Sequence, residues 1–267
     1  MQKIHALFTL LLLAFSACEE VIELDLDSTE QRIVVEANLD ATNGNCTVLL
    51  SRSADFYERN SFDKIQGASI LLRTATGDNV SLADMGDGRY SIENLAVNGA
   101  ETQHLQIKLP DNQVIESDVL VTVPVSLDSL LLQKSSSGGM PGGQASDQYS
   151  LTAQWTDPPG APHYYRLKIY KNNEFQSGTY ILADDRLGDG EPISRPVIRQ
   201  TFEKGDTLRC QLLTVNKGYY DYFTDLANSE GRGFSAPTPF NPKGNLTGDA
   251  LGYFGVWYVS EKVIMVE

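Results

Sequence analysis

The chain contains 267 residues, of which 35 are acidic and 21 are Lys or Arg, and its formal net charge is −14. This charge excludes nucleic acid as a partner, because phosphate binding needs clustered lysines and arginines. Beyond the N-terminal segment, no run of 18 or more apolar residues occurs, so the sequence predicts no membrane-spanning helix.

Residues 1–17 have the form of a secretory signal peptide. Lys3 precedes an apolar run over residues 6–15, which is about half the length that a membrane-spanning helix needs. The sequence Phe-Ser-Ala-Cys follows, with two small residues before Cys18. We therefore predict cleavage before Cys18, with a diacylglycerol on its sulfur and an acyl chain such as palmitate on its new amine, which would hold the chain stably at a membrane. The alternative is an ordinary secreted protein cut near Ala17.

Residues 18–27 are a short acidic tether that leads into alternating apolar and acidic positions, the pattern of a strand with one buried face. Strand candidates then recur about every 10 to 15 residues, separated by Asn, Asp, Gly and Pro. The pattern predicts an immunoglobulin-like β-sandwich over residues 21–124. Its strand candidates are residues 33–39, 46–51, 68–74, 89–92, 105–109 and 114–123.

Residues 125–267 continue with the same alternation and predict a larger antiparallel β domain, a sandwich or a barrel, with one short helix. A tract rich in Ser and Gly separates its first two strand candidates, and we interpret the tract as the tip of a long hairpin rather than as a linker. Aromatic and apolar residues at helical spacing predict the helix. The predicted elements are strands over 127–133, 148–155, 251–259 and 262–266 and a helix over 218–228.

Cysteine and histidine are scarce. Cys46 and Cys210 could pair in an oxidising compartment, but each lies in a strand-like run, where a small buried hydrophobic residue is the simpler explanation. Neither His104 nor His163 has a second His or Cys at ligand spacing. A zinc site with several imidazoles is therefore not expected.

The polar run over residues 184–191 is a candidate metal site. Asp184, Asp185, Asp189 and Glu191 offer carboxylate oxygens beside glycines, and Ca²⁺ takes six to eight oxygen ligands at tight turns. The alternative is a solvated acidic hairpin without an ion.

Four aromatic residues are candidates for contact with a ligand or a partner: Trp155, Tyr164, Tyr253 and Trp257. Aromatic rings stack on sugars and partner peptides, although they serve more often in core packing. Alternation predicts that Tyr165 is buried and that Tyr164 lies on the opposite face of its strand.

Four segments, in this order, resemble the Bacteroidota outer-membrane lipoproteins grouped as domain of unknown function 4249. They are Cys18 to Leu24, Trp155 to Pro158 with Tyr164 to Arg166, Asp184-Asp185 before a glycine-containing turn, and Gly244 to Leu246 with Ala250 to Phe254.

The resemblance implies an outer-membrane, lipid-anchored protein associated with a TonB-dependent transporter. It implies no catalytic residues, so we expect a non-enzymatic accessory or binding subunit, and the alternative is a glycan-binding or adhesive module. In that phylum acidic residues after the lipidated cysteine resemble a surface-export signal, so Glu19 and Glu20 favour the surface over the periplasmic face. Asp-Ser/Thr-apolar triplets in the same phylum carry O-glycans, which makes Ser129 and Thr207 candidate sites.

Overall fold

The computed structural model describes residues 31–53, 62–73, 77–134, 148–177, 180–198, 200–229 and 240–267. The signal peptide, Cys18, Glu19, Glu20, the tether and the Ser/Gly-rich tract lie outside these ranges. Within them the chain forms mostly strands, which confirms the predicted all-β class. No helix of the described ranges is long and apolar enough to cross a membrane.

The elements follow one another in this order: β1 (Ile33–Asp40), β2 (Asn45–Arg52), β3 (Ser69–Arg73), β4 (Asn79–Ser81), β5 (Ala83–Asp84), β6 (Arg89–Ile92), β7 (Thr102–Lys108), β8 (Val114–Leu120), β9 (Leu127–Lys134), β10 (Gln148–Thr156), β11 (Tyr164–Lys171), β12 (Glu174–Phe175), β13 (Ile181–Asp184), β14 (Pro192–Pro196), β15 (Phe202–Glu203), β16 (Thr207–Val215), α1 (Lys217–Ser229) and β17 (Leu251–Met265).

The described strands form three sheets. The largest has the order β12-β11-β16-β17-β1-β2-β6-β5, with β13 also paired to β11. A four-stranded sheet, β4-β3-β7-β8, packs on its β1 half. A second four-stranded sheet, in which β10 lies between β9 and the strands β14 and β15, packs on its β11 half. One face of the large sheet therefore contributes to two sandwich cores.

Strict alternation builds the first core. Ile33, Val35, Ala37 and Leu39 point inward from β1, and the residues between them are less buried. Complete burial of a Val, Leu or Ile side chain contributes roughly 1.5–3 kcal/mol. The same period of two appears in β3, β7 and β8, as expected for strands with one buried face.

The second core lies between β10 and β11. Trp155 and Tyr165 are its largest members, and their ring centroids are 5.2 Å apart. The predicted long hairpin is confirmed, because β9 and β10 pair antiparallel from Tyr149 opposite Lys134 to Trp155 opposite Leu127.

Strand β17 joins the two halves of the large sheet. Its residues up to Trp257 pair parallel with β1, and the residues from Trp257 onward pair antiparallel with β16. The sequence predicted strands over 251–259 and 262–266 in an antiparallel domain. The two are one strand, because the chain stays extended from Leu251 to Met265, and its first half pairs parallel rather than antiparallel. Phe254 and Val256 pack in the first core, so a boundary at residue 124 leaves out a strand of the N-terminal sandwich.

Gly252 allows the close approach of β17 to β1. Its φ is +102°, and a Cβ there would lie 1.9 Å from the carbonyl oxygen of Val35. Only glycine adopts this backbone conformation without strain and without a clash.

Candidate functional site

The outer face of the large sheet, opposite the two sandwich cores, carries helix α1 and an open cleft of about 500 Å³. We call it the cationic cleft. Strands β1, β11, β12 and β17 and helix α1 contribute its lining, which consists of Asn38, Arg166, Lys168, Tyr170, Phe175, Tyr219, Phe223, Tyr253 and Trp257.

Alternation along β11 places two basic residues in this cleft. Tyr165, Leu167 and Ile169 point into the second core, so Arg166 and Lys168 point to the opposite face. The sequence-based prediction did not identify these two residues, although it placed Tyr165 inside.

Helix α1 supplies the aromatic wall of the cleft. Tyr219 and Phe223 are one helical turn apart and both are buried, which is the spacing of an apolar helix face. The helix approaches β17 closely because residue 255 is glycine, and a Cβ there would lie 2.3 Å from the Tyr219 ring. The helix predicted over residues 218–228 is confirmed, and it spans Lys217–Ser229.

Arg166 is buried among aromatic rings. It donates a hydrogen bond from Nη1 to the Tyr219 hydroxyl, and its Cζ lies 4.0 Å from the Phe223 ring centroid and 5.1 Å from that of Tyr180. Only 7% of the residue is exposed. Within the described residues the guanidinium forms no salt bridge, so its charge is balanced by ring faces and one hydroxyl.

Lys168 is the second cation of the cleft. Its Nζ lies 5.2 Å from the Trp257 ring centroid. Burial lowers the pKa of Lys168 to about 8; repulsion from Arg166 also lowers it, and Asp40 acts in the opposite direction. The ammonium group is therefore largely charged below pH 8 and largely neutral well above it. Burial also raises the pKa of Tyr219 and Tyr253, which keeps both hydroxyls protonated.

The four predicted aromatic residues separate into two groups. Tyr253 and Trp257 line the cationic cleft, and the Tyr253 hydroxyl donates to Oδ1 of Asn38 at 3.1 Å. Trp155 is a core residue with 1% exposure, which corrects its assignment as a ligand contact. Tyr164 lies outside the cleft and packs on Tyr220, with the ring centroids 5.0 Å apart.

The four carboxylates predicted to hold calcium do not converge. Asp184 accepts hydrogen bonds from Arg186 and from Tyr220 of α1. Asp189 accepts one from the Gly160 amide, and Glu191 is exposed. Neighbouring residues of an extended segment point to opposite faces, and Asp185 accordingly turns inward. We therefore correct the predicted ligand set.

Asp185 instead meets Asp157 and His163 in a buried cluster. Ligand atoms of the three side chains all lie within 4.8 Å of one another, which no other trio of His, Cys, Asp or Glu achieves in the described ranges. Sequence analysis missed this cluster because its members come from the β10–β11 connection and from the turn after β13.

The remaining predicted sites lie elsewhere. Cys46 and Cys210 are buried and free, in different cores, so the described structure does not pair them. The hydroxyl of Ser129 donates to Gln154 at 2.8 Å, and Thr207 begins β16. Their O-glycosylation stays a prediction. Lipidation of Cys18 also stays a prediction.

The fold and the cleft define the chain as an all-β protein of sandwich layers with a cationic, aromatic cleft on its outer face. The family described as "Domain of unknown function (DUF4249)" matches residues 19–263. The chain belongs to this family, which confirms the resemblance seen in the sequence. No curated protein matches the chain.

Several solved structures are similar at low identity. A two-domain fibronectin type-III segment of chicken tenascin is 12% identical, over 69% of this chain and 91% of that chain, with a TM-score of 0.24. Murine CEACAM1b is 11% identical, over 88% and 98%, with a TM-score of 0.22. Trypsin-activated alpha-2-macroglobulin from Escherichia coli is 12% identical, over 89% and 16%, with a TM-score of 0.24.

Proposed function

We propose that this chain is a non-enzymatic binding protein that takes a carboxylate-bearing ligand into the cationic cleft. The observation that carries the proposal is the environment of Arg166, a buried cation that pairs with no carboxylate among the described residues. A buried charge without an ionic partner is costly. A ligand carboxylate would supply the missing partner.

The chemistry of the cleft fits such a ligand. A guanidinium carries five N–H donors, and the described residues use one of them, on Tyr219. The other donors suit the two oxygens of a carboxylate, which arginine binds in a bidentate manner. Lys168 adds a second positive charge, and a cationic cleft in a chain of net charge −14 would concentrate anions locally.

The rings specify what should adjoin the carboxylate. Tyr253 and Trp257 line the cleft, and such rings favour flat apolar faces, including those of sugars and aromatic side chains. Among the described residues that line the cleft, none is a carboxylate, histidine, serine or cysteine. The described lining therefore lacks the serine, cysteine or histidine of common catalytic sites, and we assign Lys168, whose lowered pKa would also suit a general base, to anion binding.

Two sources of the carboxylate fit the cleft. The first is an acidic glycan, in keeping with a glycan-binding or adhesive module. The second is an acidic segment of a partner protein, in keeping with an accessory subunit of a TonB-dependent outer-membrane transporter. The shared chemistry is a carboxylate beside a flat face, and the experiment separates the sources.

The test measures binding of the purified full chain to an array of probes. The array carries uronic-acid oligosaccharides with their carboxyl-reduced counterparts, and acidic aromatic peptides with their amidated counterparts. We expect binding to one carboxylate class and loss of that binding in its neutral counterpart. The Arg166→Met variant should lose the signal. The matched control is Arg209→Met, because Arg209 lies over the Tyr170 ring at 3.8 Å but has Glu261 as an ionic partner. Equal binding of charged and neutral probes would contradict the proposal.

We further propose that the protein is held at the outer membrane through lipid on Cys18, with the surface-exposed face favoured. β1 begins 15 residues after Cys18, and 15 extended residues reach at most roughly 50 Å. The first sandwich would then stay near the membrane and near a transporter. Labelling with a clickable fatty acid tests the anchor, because a Cys18→Ser variant that still takes up label would exclude Cys18 as the acceptor.

Gentle detergent extraction followed by affinity purification tests the transporter association. We expect a TonB-dependent transporter to co-purify with the wild-type chain. Repeated recovery of the chain alone, with the lipid anchor intact, would contradict this part of the proposal. An acidic glycan would then be the remaining candidate ligand of the cationic cleft.

A further inference from the structure

The buried cluster of Asp157, His163 and Asp185 carries an inference independent of the cationic cleft. It lies on the inner side of the β10–β11 connection, and the exposed fractions of its residues are 1%, 4% and 7%. Nδ1 of His163 lies 3.3 Å from Oδ1 of Asp157 and 3.7 Å from Oδ2 of Asp185. Although it is buried, Nδ1 forms no hydrogen bond with any described residue.

The two distances from Nδ1 of His163 are close to those between ligands of a coordination sphere. Nitrogen and oxygen ligands lie about 2.0–2.2 Å from zinc, so two ligand atoms of a tetrahedral site are roughly 3.3–3.6 Å apart. The cluster presents one imidazole nitrogen and two carboxylates. Calcium and magnesium prefer all-oxygen sites, whereas a mixed imidazole and carboxylate set suits a divalent transition-metal ion.

The groups around the cluster hold the candidate ligands in place. The Tyr165 hydroxyl donates to Oδ1 of Asp157, and the Gly190 amide donates to Oδ2 at 3.0 Å. The amide of His163 donates to Oδ2 of Asp185 at 2.7 Å. Hydrogen bonds of this kind orient metal ligands and tune their affinity.

The charge of the cluster also calls for a cation. Two carboxylates are buried together, and among the described residues the only basic side chain within 4.0 Å of them is His163. One imidazole can balance at most one of the two negative charges, and an unbalanced buried charge is costly. A divalent ion would neutralise both and would leave the imidazole neutral, with Nδ1 as a ligand.

We propose that Asp157, His163 and Asp185 form a structural site for a divalent transition-metal ion of the zinc class. The ion would fasten the β10–β11 connection to the turn after β13, in which Asp185 lies 22 residues after His163. Burial of all three side chains favours a structural role, in which metal binding contributes directly to folding stability.

The experiment uses the full chain, stripped with a chelator and then dialysed against Zn²⁺, Mn²⁺ or Ca²⁺ separately. We expect one Zn²⁺ per chain by elemental analysis. At free Zn²⁺ about 100-fold above the dissociation constant, the melting temperature should rise by roughly 5–10 °C. His163→Gln and Asp185→Asn should both lose the metal and the rise in melting temperature.

The matched control is His104→Gln. His104 also lies beside two carboxylates, with Nδ1 2.7 Å from Asp118 and Nε2 3.7 Å from Glu116, but these three residues do not form a metal-binding group. This variant should keep one Zn²⁺ per chain. If the His163 and Asp185 variants fail to fold, Co²⁺ added to the wild-type chain still reports on the site. The visible absorption of Co²⁺ depends on its ligands and coordination geometry, so it should change when the hydrated ion enters the buried cluster.

Three outcomes would overturn the proposal. The wild-type chain could bind neither Zn²⁺ nor Mn²⁺, with melting temperature unaffected by chelator. The His163→Gln variant could fold and keep its metal, which would place the ion elsewhere. The chain could bind Ca²⁺ alone, which would argue against an imidazole ligand. None of these outcomes bears on carboxylate binding in the cationic cleft, so the two proposals can fail separately.

Discussion

Replacing Tyr219 with phenylalanine would remove one hydroxyl and leave the aromatic wall of the cationic cleft in place. The hydroxyl accepts a hydrogen bond from the Arg166 guanidinium, and both residues are buried. A hydrogen bond to a charged group contributes about 1.5–3 kcal/mol to stability. Because the variant also leaves a buried guanidinium donor without its acceptor, we expect the free energy of unfolding to fall by about 1.5–3 kcal/mol.

Urea denaturation followed by tryptophan fluorescence measures this loss. The matched control is Tyr222→Phe, on the same helix, because the Tyr222 ring packs 4.8 Å from that of Tyr253 and its hydroxyl lacks a hydrogen bond to any described residue. The control should change stability by less than about 0.5 kcal/mol. Equal stability of the Tyr219→Phe variant and the wild type would refute the reasoning, because it would mean that Arg166 does not depend on this hydroxyl.

Three further predictions follow from the structure. Burial lowers the pKa of Lys168 to about 8, so the affinity for an anionic ligand should fall roughly tenfold as the pH rises from 7 to 9.5 and Lys168 loses its proton. The Lys168→Met variant should show no such fall, and a wild-type affinity that does not change with pH would contradict this role of Lys168. The Gly252→Ala variant should lower the free energy of unfolding by more than about 2 kcal/mol. Gly160 has the same φ of +102° but no heavy atom near the position that a Cβ would take, so Gly160→Ala should lower the free energy of unfolding by less, and equal losses in the two variants would refute the clash with β1. Burial raises the pKa of Cys46 and Cys210 to about 12, so a maleimide at pH 8 should label both thiols only after unfolding, and rapid labelling of the native chain would contradict their burial.

Local pattern was sufficient to predict the strands. The alternation in Ile33–Asp40 predicts which side chains are buried, and Val35, Ala37 and Leu39 have no exposed surface. The same reasoning predicted the β9–β10 hairpin from two apolar runs around a Ser/Gly-rich tract. These elements could be predicted because a period of two residues is a property of neighbouring positions in the chain.

Long-range pairing could not be predicted in this way. Nothing in the pattern of Leu251–Met265 specifies that its first half pairs parallel with β1 and its second half antiparallel with β16. Strand β1 is distant from β17 in sequence, and before β17 is added β1 and β16 each have one paired and one unpaired edge. The predicted boundary at residue 124 had no signal for this return of the chain.

The cleft was partly predictable. Tyr253 and Trp257 were candidates because aromatic residues were considered, but Arg166 and Lys168 were missed, although alternation with Tyr165 and Leu167 already placed both on the outer face. The buried cluster was harder to find. His163 has no second His or Cys at ligand spacing, and its partners are carboxylates, one of which, Asp185, lies 22 residues away in the chain.

The central claim is that Arg166 binds a ligand carboxylate, and calorimetric titration of the strongest acidic probe tests it most directly. We predict that the wild-type chain and the Arg209→Met control bind the acidic probe with equal affinity. Both should bind the neutral counterpart of the probe more weakly. Arg166→Met should bind at least about 30-fold more weakly, because it loses one partner of a buried charge pair, which costs 2–5 kcal/mol. An Arg166→Met variant that folds and binds the acidic probe as tightly as the wild type would contradict the account.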